Sequence, residues 1–191
     1  MSLKVLIILG SPHPKGSSYA LAESFLKGLR VSHTVVEHLV NISTTPLNGC
    51  KGCMKCRTHP DQFVCSQNDE CFKLLNEMLE SDIVVFAFPV YWYDLPGEVK
   101  LFVDRTVALV DWNQPPLDGC FPAKPIIAEK YSKVKFIALA SSGSQGGEIA
   151  CKHIKRIADM GKAKYYELIV TKKLSPDEKS QKAFFLGKSI E

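Results

Sequence analysis

Lys4-Val5-Leu6-Ile7-Ile8-Leu9-Gly10-Ser11-Pro12-His13-Pro14-Lys15-Gly16-Ser17-Ser18-Tyr19 contains the change of character on which the fold turns. Residues 4–9 form a short apolar run without polar alternation, the pattern of a strand covered on both faces. The run stops at Gly10 and gives way to a loop of serine, proline and glycine. Beyond that loop Leu21, Phe25, Leu26 and Leu29 recur at helical spacing, with Gly28 and Arg30 near the helix end. A buried strand, a glycine-bearing turn and an amphipathic helix make the first half of a parallel strand–helix–strand unit.

The alternation continues along the chain. Residues 35–40 read as a second strand, and Phe72, Leu75, Met78 and Leu79 as a helical stripe leading into a third strand over 83–88. Pro96 opens a helix bearing Val99, Phe102, Val103 and Val107, since proline is tolerated in a first turn. Residues 111–132, rich in proline, glycine and lysine, read as the longest connection. A fourth strand at 134–140, a helix with Ile149, Ile154 and Ile157, and a fifth strand at 165–170 follow. Ser175-Pro176-Asp177-Glu178 has the form of a capping box. The expected fold is α/β: one doubly wound, five-stranded parallel sheet with helices on both faces, built as a single domain over 1–191. Such sheets bind ligands at the carboxyl ends of the strands, where the strand order reverses.

Composition narrows the class. In 191 residues, 46% are hydrophobic and 23% charged, as in an ordinary globular protein with room for a sizeable core. Residues 1–4 run straight into a strand with no signal-peptide pattern, and no apolar stretch reaches the length of a membrane span, so a cytoplasmic location is expected. In that compartment clustered thiols favour metal or redox work over disulfides. The formal charge of +4 is uneven: residues 1–120 have 10 Lys/Arg against 13 Asp/Glu, and residues 121–191 have 14 against 7. Solvated lysines on helix faces account for this, an acidic partner being the alternative. Scattered lysines without a basic stripe or interleaved aromatics make a poor nucleic-acid footprint, so no nucleic-acid partner is expected.

Three loops at strand ends are candidate binding elements. In the first, Ser11, Ser17, Ser18 and Tyr19 offer hydroxyls, His13 and Lys15 offer cations, and the helix N-terminus offers free N–H groups, all favouring a phosphate. It matches neither the triphosphate-binding nor the dinucleotide glycine pattern. In the second, Pro89, Val90, Tyr91 and Trp92 leave the third strand as a potential wall for a planar ligand. In the third, Ser141, Ser142, Gly143, Gly146 and Gly147 offer donors to a polar ring edge. Each has an ordinary reading as a capped helix, a core aromatic or a plain turn. Together they describe a site for flavin mononucleotide (FMN).

Five of the seven cysteines lie between residues 50 and 71, opening as Cys50-Lys51-Gly52-Cys53-Met54-Lys55-Cys56. Two successive C-x-x-C steps bring three thiols toward one point, as a soft metal requires. Cys65 is the preferred fourth ligand, with Cys71 and His59 as alternatives. An iron–sulfur cluster, zinc, and reduced metal-free thiols all remain open. Cys120 and Cys151 stand apart and read as small buried hydrophobes.

Gly10-Ser11-Pro12 with Gly16-Ser17-Ser18, the cysteine run, Pro89-Val90-Tyr91-Trp92, and Lys100-Leu101-Phe102-Val103-Asp104-Arg105 resemble the flavodoxin-like NAD(P)H-dependent FMN reductases, above all the iron–sulfur flavoproteins. The resemblance spans about residues 3–170. It implies FMN bound noncovalently, hydride taken from NAD(P)H, and electrons passed to a quinone, a free flavin or an iron–sulfur partner. It further implies a [4Fe–4S] cluster on Cys50, Cys53, Cys56 and a fourth cysteine, and a homodimer or homotetramer. The position after Ser11-Pro12, often arginine in relatives, is His13 here. The Asp104–Arg105 pair is implied to be scaffold, at a subunit interface, and no residue is assigned as catalytic. The competing reading is a non-enzymatic electron carrier; a zinc-stabilised binding protein is a third.

Overall fold

The computed structural model describes residues 2–191. Five strands, β1 (Leu3–Leu9), β2 (Val35–Asn41), β3 (Ile83–Pro89), β4 (Lys135–Ser142) and β5 (Lys164–Thr171), form one parallel sheet in the order β2-β1-β3-β4-β5. This is the flavodoxin-like doubly wound arrangement. The central strands are buried along most of their length because helices cover both faces, which is why their sequences do not alternate.

Side-chain alternation then divides the core in two. Val5, Ile7 and Leu9 with Val85, Ala87, Ile137 and Leu139 face α1 (Ser17–Leu29) and α7 (Pro176–Lys188). Leu6, Ile8, Val84, Phe86, Phe88, Phe136 and Ala138 face the opposite layer: α3 (Glu70–Glu80), α4 (Gly97–Arg105), α5 (Pro125–Lys133) and α6 (Gly147–Met160). The expected capping box is formed: the Ser175 hydroxyl accepts from the Glu178 N–H, and the Glu178 carboxylate accepts from the Ser175 N–H at 2.7 Å.

The sequence reading departs from the structure between α4 and β4. Helix α5 occupies part of what reads as an irregular connection over 111–132, and α4 ends at Arg105 in a 3-10 turn (Thr106–Leu109) where the sequence carries a helix through Val107. Helix α5 is only nine residues long and buries just Ile127 and Tyr131, one turn apart. Two buried positions are too few for a visible helical stripe, and Pro125 at its first turn is easily taken for a breaker. Among the described residues no helix is long and apolar enough to cross a membrane.

Candidate functional site

The three candidate loops leave the carboxyl ends of β1, β3 and β4, which are adjacent in the sheet. Strand order reverses beside β1, since β2 lies on one side of it and β3 on the other. In the first loop, Ser11 and Ser18 are buried. Ser11 Oγ accepts from the His13 N–H at 3.2 Å, and the Asn41 amide donates to the Ser11 carbonyl at 3.1 Å. These bonds fix the loop's curvature. The N-cap of α1 is Gly16, with no capping side chain, so the first-turn N–H groups of Ser17, Ser18 and Tyr19 have no internal acceptor. His13, Lys15 and Ser17 are exposed around them, while Tyr19 packs partly against the core beneath α1. An uncapped N-terminus ringed by hydroxyls and two basic side chains is chemically suited to a phosphate.

The second and third loops are joined. Pro89 is in register with Ser141, and the Val90 N–H donates to the Ser141 carbonyl at 2.9 Å. Tyr91 and Asp94 then close a tight turn through two backbone bonds of 3.0 Å, with Trp92 and Tyr93 at its tip. Both tip residues have left-handed backbones, with φ 46° and 65°. Neither is glycine, so the turn is strained, as backbone at functional sites often is. Trp92 is 92% exposed, far from the core role open to it on sequence alone.

Two contacts hold this turn. The Asp94 carboxylate accepts the Leu95 N–H at 2.7 Å and lies 3.1 Å from His153 Nε2 of α6. Gly146 has φ +89°, and a Cβ there would stand 2.5 Å from the Tyr93 Cα. Only glycine supplies both that conformation and that close approach. In the same loop the Ser142 hydroxyl donates to the Gln145 carbonyl at 2.6 Å, leaving Gly143 exposed at the rim.

The cysteine segment lies between β2 and α3, with one short helix, α2 (Lys55–Thr58). Gly52 (φ 63°) and Met54 (φ 62°) curl the backbone through left-handed conformations. Cys50, Cys53, Cys56 and Cys65 consequently rim one small cavity with Gln67 and Arg105. Hydrogen-bond donors approach three of these sulfurs. The Gly52 N–H donates to Cys50 Sγ and the Gln67 N–H to Cys65 Sγ, each at 3.5 Å, and the Ser66 hydroxyl lies 2.9 Å from Cys53 Sγ. The Ser66 contact, followed by backbone N–H groups, lowers the Cys53 pKa. Burial raises that of Cys56, with Lys124 opposing. Cys71, by contrast, lies in the core on α3, where burial pushes its thiol up to about 12. His59 turns its Nδ1 to the Lys55 carbonyl at 2.9 Å and does not rim the cavity.

Two buried cations, neither of them read from the sequence as part of this site, hold the segment in place. Arg105 is 1% exposed. Its Nη1 donates to the Asn48 carbonyl at 2.8 Å and to Asp69 at 2.9 Å. Its Nη2 donates to Asp69 at 3.0 Å, the Gln67 carbonyl at 3.2 Å and Cys65 Sγ at 3.3 Å. Hydrogen bonds from Arg105 hold the Asp69 carboxyl below its usual pKa. Lys124 is fully buried, and its Nζ donates to the carbonyls of Cys56, His59 and Gln62 at 2.7–2.9 Å. Asp104 pairs instead with exposed Lys100, so the implied Asp104–Arg105 pair is divided, with Arg105 buried inside one chain. Buried charge pairs have no sequence period, and Asp69 is met first in the structure as the N-cap of α3, where it accepts from the Phe72 N–H. Cys120 is a further correction: it is half-buried, with Sγ bonded toward the Phe121 and Arg156 carbonyls, whereas Cys151 is buried as expected.

Residues 3–168 match the family model described as NADPH-dependent FMN reductase. The chain belongs to this family. Among curated relatives, an iron-sulfur flavoprotein of Archaeoglobus fulgidus is 31% identical over 136 residues, 71% of this chain and 59% of that protein. An iron-sulfur flavoprotein of Methanocaldococcus jannaschii is 27% identical over 104 residues, 54% of this chain and 52% of that protein. The matches thus span little more than half the length of these relatives. Among solved structures, the NAD(P)H:quinone oxidoreductase of Methanothermobacter marburgensis superposes over 100% of both chains with TM-score 0.66. At 16% identity it speaks to the fold alone.

Proposed function

We propose that this chain is an FMN-dependent oxidoreductase that takes reducing equivalents from NAD(P)H and passes them to a quinone, a flavin or an iron–sulfur acceptor. The observation that carries the reading is the grouping of three loops of complementary chemistry at the strand-order reversal of a flavodoxin-like sheet. The uncapped first turn of α1, with Ser11, Ser17, Ser18, His13 and Lys15 around it, holds the phosphate end. Pro89, Val90, Tyr91 and Trp92 on one side, and Ser141, Ser142, Gly143, Gly146 and Gly147 on the other, frame the ring. Bound FMN supplies the electron chemistry, and the protein supplies position and electrostatics. No protein acid or base is needed, and none is assigned.

Cys50, Cys53, Cys56 and Cys65 are proposed to hold a [4Fe–4S] cluster, which suits a one-electron acceptor. N–H and hydroxyl donors aimed at sulfur are what cluster ligands use, and Arg105 Nε and Gln67 Oε1 are buried without partners at the rim. Among the described residues no three His, Cys, Asp or Glu side chains converge on a single-ion site. Four cysteine thiols around one cavity are the ligand set that such a cluster takes. The assembly expected from the resemblance is a homodimer or homotetramer, which sedimentation would establish.

Purified protein should be yellow, release FMN on denaturation and oxidise NAD(P)H with a quinone or ferricyanide. Bound FMN without NAD(P)H oxidation would favour the electron carrier. Iron and acid-labile sulfide near four per chain, after anaerobic purification, would support the cluster.

A further inference from the structure

We infer that Arg105 is the positioning residue of the cysteine site and sets its redox potential through Cys65. The inference rests on the cluster reading above. Of the polar groups along the segment, Arg105 alone combines full burial, a formal charge and a bond to a thiol sulfur. Its guanidinium touches the segment at Asn48, Cys65, Gln67 and Asp69, so it fixes both the strand of chain that enters the C-x-x-C run and the strand that leaves it. Every N–H direction of the fork is used except Nε, which is buried and unpartnered.

That is an odd arrangement for a purely structural clamp. A clamp on Asp69 and two carbonyls needs no sulfur contact, and a buried guanidinium with an idle donor loses free energy it would recover by hydrogen bonding. It is an economical arrangement for a site that gathers negative charge. Four thiolates about one inorganic core make a polyanion, and a fixed positive charge beside one ligand favours the form with the extra electron. Hydrogen bonds to ligand sulfur and local charge are among the protein's means of setting such potentials. Lys124 is the second fixed charge, but its three bonds all go to carbonyls, so it shapes the loop without touching sulfur.

Opposite charges at one clamp give a test that separates the two roles. Arg105→Gln removes the positive charge and the Cys65 bond. Asp69→Asn breaks the same clamp but removes a negative charge, leaving Arg105 beside Cys65. A structural clamp predicts the same consequence from both. The inference predicts opposite ones: in anaerobically purified protein, Arg105→Gln should shift the one-electron equilibrium about tenfold toward the oxidised form, about 59 mV lower in midpoint potential. Asp69→Asn should shift it the other way, and Arg105→Lys should fall between Arg105→Gln and wild type.

Potentials would be read by EPR-monitored redox titration, with iron and sulfide per chain and far-UV circular dichroism measured on each sample. Equal loading with unmoved or same-direction potentials overturns the inference while leaving the cluster intact. Should Arg105→Gln fold but hold no iron, loading of Asp69→Asn decides. A loaded Asp69→Asn supports a need for the guanidinium, and an empty one reduces Arg105 to a clamp. Wild-type protein lacking iron and sulfide overturns the cluster reading, and the inference with it.

Discussion

Asp69 shows how one carboxylate can have two structural duties. It caps α3 by accepting the Phe72 N–H at 3.1 Å, and it neutralises Arg105, which is 1% exposed. Asp69→Asn keeps a capping oxygen but strands a buried cation, so it should lower stability at neutral pH by about 3 kcal/mol in urea unfolding. The pH dependence follows from the same pair. Bonding to Arg105 depresses the folded-state pKa below the usual 3.8. A depressed carboxylate contributes stability above its unfolded value and loses it as pH falls through that value toward the folded one. Wild type should therefore lose stability below about pH 4 more steeply than Asp69→Asn. Gly146 answers to different physics. Gly146→Ala would force a left-handed alanine against the Tyr93 backbone, with a cost of about 1–2 kcal/mol for the conformation alone. It should melt at lower temperature and lose FMN affinity, as read by fluorescence titration. An unchanged affinity would show that the turn does not frame the ring.

Helix pairs and loops carry the next set of constraints. Helices α1 and α7 meet through glycine: a Cβ at Gly28 would lie 1.9 Å from the Phe184 carbonyl oxygen, and one at Gly187 would lie 2.0 Å from that of Phe25. Neither neighbour is a side-chain tip that can turn aside; both are backbone. Gly28→Ala and Gly187→Ala should each destabilise by about 1–3 kcal/mol, the usual range for overpacking. The double variant should fall short of additivity, since the first separation relieves the second. The cysteine loop depends on Lys124 in a comparable way. Lys124→Met leaves three carbonyls of residues 56–62 without their donor, and each unmade buried bond costs about 1–3 kcal/mol. Limited proteolysis should then cut within 54–62 faster than in wild type.

At the level of the fold, the strands and their order of appearance were legible because a parallel sheet covered on both faces writes itself as apolar runs separated by helical stripes. The positions of the three candidate loops were legible for the same reason: they are the polar, glycine-bearing interruptions at the ends of those runs. The short helix α5 was not, since Ile127 and Tyr131 alone make no stripe. Arg105 and Lys124 were not either. Each is a single charge whose partners lie tens of residues away in sequence, so nothing local distinguishes it from a solvated lysine or arginine. Exposed Trp92 and its strained backbone were equally hidden, because a run of aromatics reads alike whether it fills a core or stands at a rim.

The proposed function requires that each chain hold a flavin that NAD(P)H reduces. An anaerobic absorption spectrum of the purified protein, recorded before and after addition of NADPH, tests it most directly. The spectrum should show a flavin band equivalent to one FMN per chain that bleaches on addition, over a broader absorbance from iron and sulfide. Colourless protein that ignores added FMN, or a flavin band untouched by NADPH and NADH alike, would contradict it.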